Sequence, residues 1–543
     1  MTGEKRASMA TNKYGERVVR IEFPYDLDTI FQVRQLPGRA YHAEERVWSA
    51  PVHLETLQQL IAWGFTLDDR LKEFIRRVTK REQELGQSNI EGLRKTLFPF
   101  QGEGVAFIER HEGRALVADE MGLGKTVQAL AWLQLKQDVR PAVVVCPAAV
   151  KLNWEREANV WMTNPGVVVL QGTKAKRVRG RIVIVNYDIL NSWVDELRRI
   201  QPQAVVLDEA HYVKSNKTQR TKAVKQLVKG CPHVIALSGT PIVNRPVEIY
   251  NAIRMIDPAL FPNYMWYCRR YCAARHTGFG WNFSGASNTD ELHETLTRTV
   301  MIRRLKRDVL KELPDKIRAF VPIELANTDT YMEAERDFIQ YVKKVKGKEA
   351  AQRASNAEAF GRIETLKQLA VKGKLRQAME WIETFLESDE KLVVFCTHRF
   401  VVDKLMDKFR DVAVRVDGSV TGKERQTYVD MFQMNKRVRL FVGNIQAAGV
   451  GITLTAASNV AFLELPWAPG AVTQAEDRCH RIGQKDTVNI HYLLATGTIE
   501  ERLAHLIDSK RRVLDAVLDG RETDEESLLS ELMKQYTEED GKH

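Results

Sequence analysis

The chain of 543 residues has no uninterrupted apolar stretch near the ~20 residues that a membrane-crossing helix requires, so spanning helices are not expected. Met1 to Ala10 lacks the apolar segment of a signal peptide. An intracellular protein is therefore expected, cytoplasmic or in the nucleoid for a prokaryote or virus, nuclear for a eukaryote. Cysteine is scarce, with six residues at positions 146, 231, 268, 272, 396 and 479. Only Cys268 and Cys272 are close, without a second pair or histidines at metal-ligand spacing, which argues against zinc and for reduced thiols in the core. There is no low-complexity tract. Acidic residues are the minority charge, 71 against 81 Lys and Arg, and the resulting +10 favours a polyanionic partner, a bias that many basic proteins share.

The length exceeds one ordinary hydrophobic core and predicts about two to four domains. A composition of 44% hydrophobic and 28% charged residues suits a globular protein with ample core. Two short motifs carry chemistry. Leu116-Val117-Ala118 leads into Asp119-Glu120-Met121-Gly122-Leu123-Gly124-Lys125-Thr126, and Ala204-Val205-Val206-Leu207 leads into Asp208-Glu209-Ala210-His211. The glycines let the backbone curl so that successive N–H groups and the next helix's N-terminus face an anion, while Lys125 reaches outer phosphates and Thr126 reaches Mg²⁺. Asp208 would hold that magnesium, and Glu209 would orient and deprotonate the attacking water. The strict phosphate-loop pattern has glycine where Asp119 stands. Each motif alone has an ordinary reading, a strand-to-helix connection for one and a solvated turn for the other. Both together, in order and each after a buried-looking strand, point to a nucleoside triphosphate site.

Short β-branched runs at Ala142 to Cys146, Ile182 to Val185, Ala204 to Leu207 and Val234 to Leu237 alternate with helical segments, the rhythm of a parallel sheet with crossover helices. A second series runs through Leu392 to Phe395, Val412 to Val416, Val438 to Val442, Val460 to Leu463 and Val488 to Leu494, without a phosphate loop of its own. Asn244 to Glu390 reads mostly as helix, and so does Thr498 to His543, where Thr498 and Glu501 fit a capping box. Before the first sheet, Val18 to Phe23 reads as a strand, Asp26 to Gln35 as a helix, Arg39 to Val52 as a hairpin and Leu54 to Trp63 as a helix.

Phe100-Gln101, the phosphate loop, Leu237-Ser238-Gly239-Thr240-Pro241, Gln446 to Ala457, and Gln474 to Gln484 occur in an order that resembles the Swi/Snf branch of helicase superfamily two. The resemblance runs from about Leu93 to about Gly520. Met301-Ile302-Arg303-Arg304-Leu305-Lys306-Arg307-Asp308-Val309 with Glu312-Leu313-Pro314 resembles the segment that sets Swi/Snf ATPases apart from unwinding helicases. Phe261 to Asn288 and Gly451-Ile452-Thr453-Leu454-Thr455 are similar to annealing helicases, the HARP-related subfamily, since typical remodellers carry asparagine at the position of Thr453. Tyr25, Leu36-Pro37-Gly38, Tyr41 and Trp48 resemble a HARP domain, read as a fork or single-strand sensor or as a structural cap, and expected to be separable from the motor.

The resemblance implies an α/β fold with two RecA-like parallel-sheet lobes in tandem, helical insertions and a small N-terminal α+β domain. It divides the chain into a HARP-like domain (1–70), a helical connector (71–92), a first ATPase lobe (93–243), a helical protrusion (244–325), a second lobe with its leading helices (326–515) and a helical tail (516–543). ATP would be held by Gln101, Asp119, Gly122, Gly124, Lys125, Thr126, Gly449 and Gly451, with Mg²⁺ on Thr126 and Asp208. Gln101 would read the adenine edge or merely cap its helix. Arg478 and Arg481, three apart and able to share one helical face, would join Lys125, Asp208 and Glu209 in catalysis by acting on the γ-phosphate, or else form a surface salt bridge with Glu476 or Asp477. Ser238, Thr240, Gln446 and Gln474 would couple nucleotide state to movement. Arg269, Arg270 and Arg275 among Tyr264, Trp266, Tyr267, Tyr271, Phe279 and Trp281 would be core or a stacking surface. Arg303, Arg304, Lys306 and Arg307 would be a solvated face, or a brace or DNA contact. The implied activity is DNA-dependent ATP hydrolysis driving translocation that anneals or remodels branched DNA, held mostly by its phosphate backbone. A strand-separating helicase, a translocase that displaces proteins from duplex DNA, and a non-enzymatic ATP-gated DNA clamp, against which Lys125, Asp208, Glu209 and both arginines argue, are the alternatives.

Overall fold

The computed structural model describes residues 4–12, 15–85, 90–239, 246–276, 280–283, 285–345, 352–449, 451–467 and 469–516, with Leu532 and Tyr536. The chain divides into two compact units, Met1–Val309 and Leu310–His543.

The first unit opens with five strands, β1 (Arg6–Thr11), β2 (Arg17–Glu22), β3 (Ala40–His42), β4 (Val47–Pro51) and β5 (Thr66–Leu67), ordered β3-β4-β2-β1-β5. Period-two alternation turns Ala7, Val19, Ile21 and Ala50 into one core with Val33, Leu57 and Leu60 of the helices Leu27–Val33 and Leu54–Ala62. Asp26 starts the first of these helices, its Oδ2 accepting Thr29 N at 2.9 Å. β1 is not foreseen in the sequence, where Arg6 to Thr11 holds small and polar residues. Its partner β2 dictates the pairing, antiparallel from Arg6↔Glu22 to Thr11↔Arg17.

This small domain is seated on the rest of the unit instead of forming a detached module. Gly38 (φ +63°) makes the approach possible, because a Cβ there would fall 2.8 Å from Pro51 Cγ and 3.0 Å from the Leu260 carbonyl. His53 Nε2 lies 2.9 Å from Asp257 Oδ2, and Arg298 donates to Gln59 Oε1 at 2.8 Å.

The large sheet of this unit contains β6 (Arg114–Val117), β7 (Ala142–Cys146), β8 (Val167–Val169), β9 (Ile182–Asn186), β10 (Ala204–Leu207) and β11 (His233–Leu237). A hairpin of β12 (Arg275–His276) and β13 (Trp281–Asn282) precedes its last strand, β14 (Met301–Ile302). The order is β14-β6-β11-β10-β7-β9-β8, all parallel. Helices on the crossovers bury both faces, which is why these strands are continuous apolar runs. β14 lies inside the span read as helical protrusion: Leu116 N donates to Val300 O at 2.7 Å and Ala118 N to Ile302 O at 2.8 Å, returning the chain to the sheet.

The second unit has β15 (Lys316–Ile323), β16 (Leu392–Cys396), β17 (Ala413–Val416), β18 (Leu440–Asn444), β19 (Asn459–Phe462) and β20 (Val488–Ala495), ordered β15-β20-β19-β16-β18-β17 and again parallel. The long helix Gln352–Leu386 is pinned to it by buried Lys374, which donates to Leu493 O and to Glu500, each at 2.5 Å. The helix Ile499–Ala516 starts with a different cap from the expected box: Thr498 Oγ1 takes Glu500 N at 3.2 Å, while Glu501 takes Gly497 N at 3.0 Å. Of the tail, Leu532 and Tyr536 are buried against Tyr331 and Phe338; acidic Asp524 to Glu526 lie outside the described residues.

His398, following β16, bridges Glu364 (2.9 Å from Nε2) and Glu464. Its hydrogen bonds to Glu364 and then Glu464 raise its pKa from 6.5 to about 9. A raised folded pKa stabilises fully below the unfolded value and is lost as pH rises through the folded one. The contribution should therefore fade between about pH 6.5 and 9. Melting temperature against pH is expected to slope down more steeply across this window in the parent than in His398→Gln; parallel curves would refute the bridge's importance.

Candidate active site

β6 ends at Val117, and the loop from Ala118 leads to the helix Lys125–Leu135. Gly124 has φ +79° and a Cβ there would stand 2.4 Å from Gln101 Nε2, so only glycine lets the loop close over this helix start. Lys125 Nζ donates to Asp119 O at 2.7 Å and Glu120 O at 3.3 Å. Burial lowers its pKa, opposed by Glu209, Asp119 and Asp208. The ammonium therefore sits in the field of three carboxylates. Thr126 follows at the same helix start.

β11 lies between β6 and β10, which brings the C-terminal ends of three strands together. Parallel sheets bind ligands at such ends. After β10, Asp208 Oδ2 accepts Trp154 Nε1 at 2.8 Å, its Oδ1 accepts Glu209 N at 3.0 Å, and its carbonyl accepts Tyr187 OH at 2.8 Å. Burial, then Glu209, pushes the Asp208 pKa up to about 6. Glu209 adopts the left-handed region (φ 51°, ψ 61°), a conformation a non-glycine residue takes only when its surroundings impose it. Its Oε2 is 3.4 Å from His211 Nδ1. Ser238 closes the gap at the end of β11, donating its N–H to Val117 O at 3.1 Å. Next to it, a Cβ on Gly239 would be 3.2 Å from Lys125 Nζ. Thr240 lies outside the described residues.

Two residues expected at the nucleotide have other partners. Gln101 takes the capping position: Phe98 N donates to its Oε1 at 3.1 Å, and its Nε2 donates to Leu123 O at 3.3 Å. Asp119 is fully buried and ion-paired to Arg304, with Nε–Oδ1 at 3.0 Å and an Nη2–Oδ2 contact of 2.6 Å. This also corrects the solvated-face reading of Arg303 to Arg307. Arg304 and Lys306 have side chains 11% and 5% exposed, and only Arg307, at 59%, fits that description. Sequence patterning misses Arg304 because its partner is 185 positions away.

Among the described residues no group of three His, Cys, Asp or Glu could hold a metal. Magnesium that arrives with a nucleotide needs only one or two protein ligands beside phosphates and water. The Thr126 hydroxyl and the Asp208 carboxylate fit that role, the latter because a carboxylate raised to about 6 by burial gains from a cation against it.

In the second unit, Gln446 lies in the short helix Ile445–Ala448 after β18, capped by Asn444, whose Oδ1 accepts Gln446 N at 3.0 Å. Gly449 ends this helix, and Gly451 has φ +73°. Gln474 is in the helix Pro469–Glu476, which stops before Arg478 and Arg481, so these two follow the helix instead of sharing its face. Arg478 Nε donates to Gln474 O at 3.1 Å and Arg481 Nη1 reaches Ile452 O at 3.4 Å. Of the two carboxylates offered as their alternative partners, Asp477 accepts from Lys316 at 3.0 Å and Glu476 has three partners of its own. Glu476 takes Arg318 (2.6 Å), Lys316 (3.1 Å) and Tyr492 OH (2.8 Å), and Lys316 with Arg318 overcomes burial to hold it at about 2.

The aromatic and basic stretch divides. Tyr267 and Tyr271 are core, whereas Trp266 is 51% exposed and Trp281 is 42% exposed with Arg269 over its ring at 5.3 Å. Phe279 lies outside the described residues. A cavity of ≈780 Å³ between the Gly38 turn and the helix Tyr264–Tyr271 is lined by Arg34, Arg39, Trp48, Trp266 and Arg298. Two glutamates on its wall are already paired, Glu291 with Arg270 and Glu294 with Arg298.

Residues 100–380 match the SNF2-related domain, and residues 373–483 match the helicase conserved C-terminal domain. The SWI/SNF-related matrix-associated actin-dependent regulator of chromatin subfamily A-like protein 1 of Xenopus tropicalis is 34% identical, over 91% of this chain and 54% of its own length. Its Caenorhabditis elegans homolog is 33% identical over 93% of this chain and 75% of that protein. The DNA annealing helicase and endonuclease ZRANB3 of Mus musculus is 36% identical over 79% of this chain and 41% of that protein. The chain thus spans about half the length of the vertebrate relatives it matches.

Proposed function

The chain belongs to the SNF2-related family, and from that premise we propose that it hydrolyses ATP in response to DNA and uses the cycle to move along the duplex, annealing or remodelling branched structures. The observation that carries this reading is the gathering of Lys125, Asp208 and Glu209 at neighbouring strand ends, with Ser238 and Gly239 between them. Lys125 and the helix start bind the outer phosphates. Magnesium, held by Thr126 and Asp208, would neutralise charge on them. Glu209 orients a water and takes its proton, while Arg478 and Arg481 stabilise the charge spreading over the transferring phosphoryl group. Gln446 and Gln474 with Ser238 and Thr240 transmit nucleotide state to the DNA-gripping surfaces.

Contacts to DNA are mainly with phosphates, so affinity falls as salt rises. The mouse relative's name, which includes annealing, favours rewinding over strand separation. A eukaryotic source would place the chain in the nucleus. Hydrolysis measured in parallel on single-stranded, duplex and forked DNA tests the reading. Stimulation by duplex or fork is expected, together with ATP-driven rewinding of bubble-containing DNA; hydrolysis indifferent to DNA would refute it.

The N-terminal domain serves as the junction reader, with Arg34 and Arg39 taking phosphates and Trp266 a base. Stacking on an aromatic is worth about 1–3 kcal/mol per base, so Trp266→Ala should weaken fork binding about 5- to 150-fold. Plain-duplex-stimulated hydrolysis should hold. Arg34→Glu with Arg39→Glu should also flatten the salt dependence of fork binding, by about 0.7 in log–log slope per lost single-strand contact. Equal losses on fork and plain duplex would leave this domain a structural cap.

A further inference from the structure

The departure at Asp119 has a physical counterpart that is not local. Where a strict phosphate loop would carry glycine, this chain buries a carboxylate completely and clamps it with the guanidinium of Arg304 through two hydrogen bonds, at 3.0 and 2.6 Å. Gln128 completes the clamp, donating to Asp119 Oδ2 at 2.9 Å and accepting from Arg304 at 3.1 Å. Arg304 also donates to the Phe100 carbonyl and lies 5.5 Å over the Phe100 ring. Space for this arrangement comes from Gly104, where a Cβ would meet Gln128 Oε1 at 1.8 Å and Arg304 Nη2 at 2.9 Å. The backbone repeats the fastening, Glu120 N donating to Arg304 O at 2.9 Å and Lys306 N to Glu120 Oε2 at 2.7 Å. The carbonyls of Asp119 and Glu120, held in this way, are the ones on which the Lys125 ammonium rests.

We propose that Arg304 is a positioning residue of the nucleotide site, which through its bidentate pair with buried Asp119 fixes the entrance of the phosphate loop and so sets Lys125 against the outer phosphates of ATP. The inference deepens the ATPase reading and rests on it. Arg304 touches no phosphate itself; its effect passes through Asp119 and Lys125. A lysine at this place keeps the charge but loses the fork geometry that grips both carboxylate oxygens.

The test uses the full chain and reads ATP affinity by equilibrium binding beside KM and kcat. Arg304→Lys is expected to raise the Kd and KM for ATP about tenfold, a displaced loop being felt at a distance, with kcat at saturating ATP within about twofold. Truncation to alanine would strand a buried carboxylate and threatens folding. The paired variant D119L with R304M removes both charges together and should melt near the parent while binding ATP as weakly as Arg304→Lys. In a Lys125→Ala background, Arg304→Lys should add no further loss, because both act through one ammonium. Unchanged ATP affinity in the lysine variant and the paired variant, or losses that add fully to Lys125→Ala, would overturn the proposal. Failure of the parent itself to bind ATP would overturn the ATPase reading instead.

Discussion

Glu209→Gln is expected to bind ATP within about threefold of the parent yet to lose about a thousandfold in turnover, since an amide cannot accept the proton of the attacking water. Three features isolate this residue from structural roles: its position just past β10, its imposed left-handed backbone, and its place first among the charges that raise Lys125. Glutamine has the same length and keeps the same backbone demand, so folding should be untouched. Lys125→Ala should differ in kind, losing nucleotide affinity as well as rate. Steady-state hydrolysis with equilibrium nucleotide binding separates the two, and near-normal turnover in Glu209→Gln would sink the assignment of the base.

Arg481→Ala should leave ATP and DNA binding in place and lower turnover about a thousandfold, the lower end of what an arginine on a transferring phosphoryl group supplies. Arg481 reaches the Ile452 carbonyl at 3.4 Å, and Glu476 accepts from Lys316, Arg318 and Tyr492. A few-fold loss would mean that the arginine serves only a surface salt bridge or steadies the Ile452 turn. Lysine at this position should rescue poorly, because a point charge does not reproduce the planar fork.

Lys125, Asp208 and Glu209 are legible in the amino-acid sequence because each belongs to a local run, a buried strand followed by a turn of defined residue types. The strands flanking them show as valine and isoleucine runs for the same reason. β15 does not, since it pairs with β20 at the edge of its sheet, and with Pro322 and mostly exposed or half-buried residues it is lost in a span, Asn244 to Glu390, that reads mostly as helix. β8 is three valines after a turn, too short for a period to show. Gln101 and Asp119 can be placed near the loop but not oriented, because their side-chain partners, Leu123 O and Arg304, depend on packing between distant segments. The same limit hides the seating of the N-terminal domain, whose contacts join Gly38 to Leu260, His53 to Asp257 and Gln59 to Arg298.

That seating bears on transplantation. If the N-terminal domain reads junctions as proposed, its fastening to the part of the chain that carries the phosphate loop would make it a fixed gauge, keeping one spacing from its own contact to the nucleotide throughout the proposed cycle. Grafted onto another motor, it would carry the gauge but not the mount. A chimaera would have to bring Leu260, Asp257 and Arg298 of this chain as well, and natural exchange of such domains should be constrained to chains in which both faces of the mount travelled together.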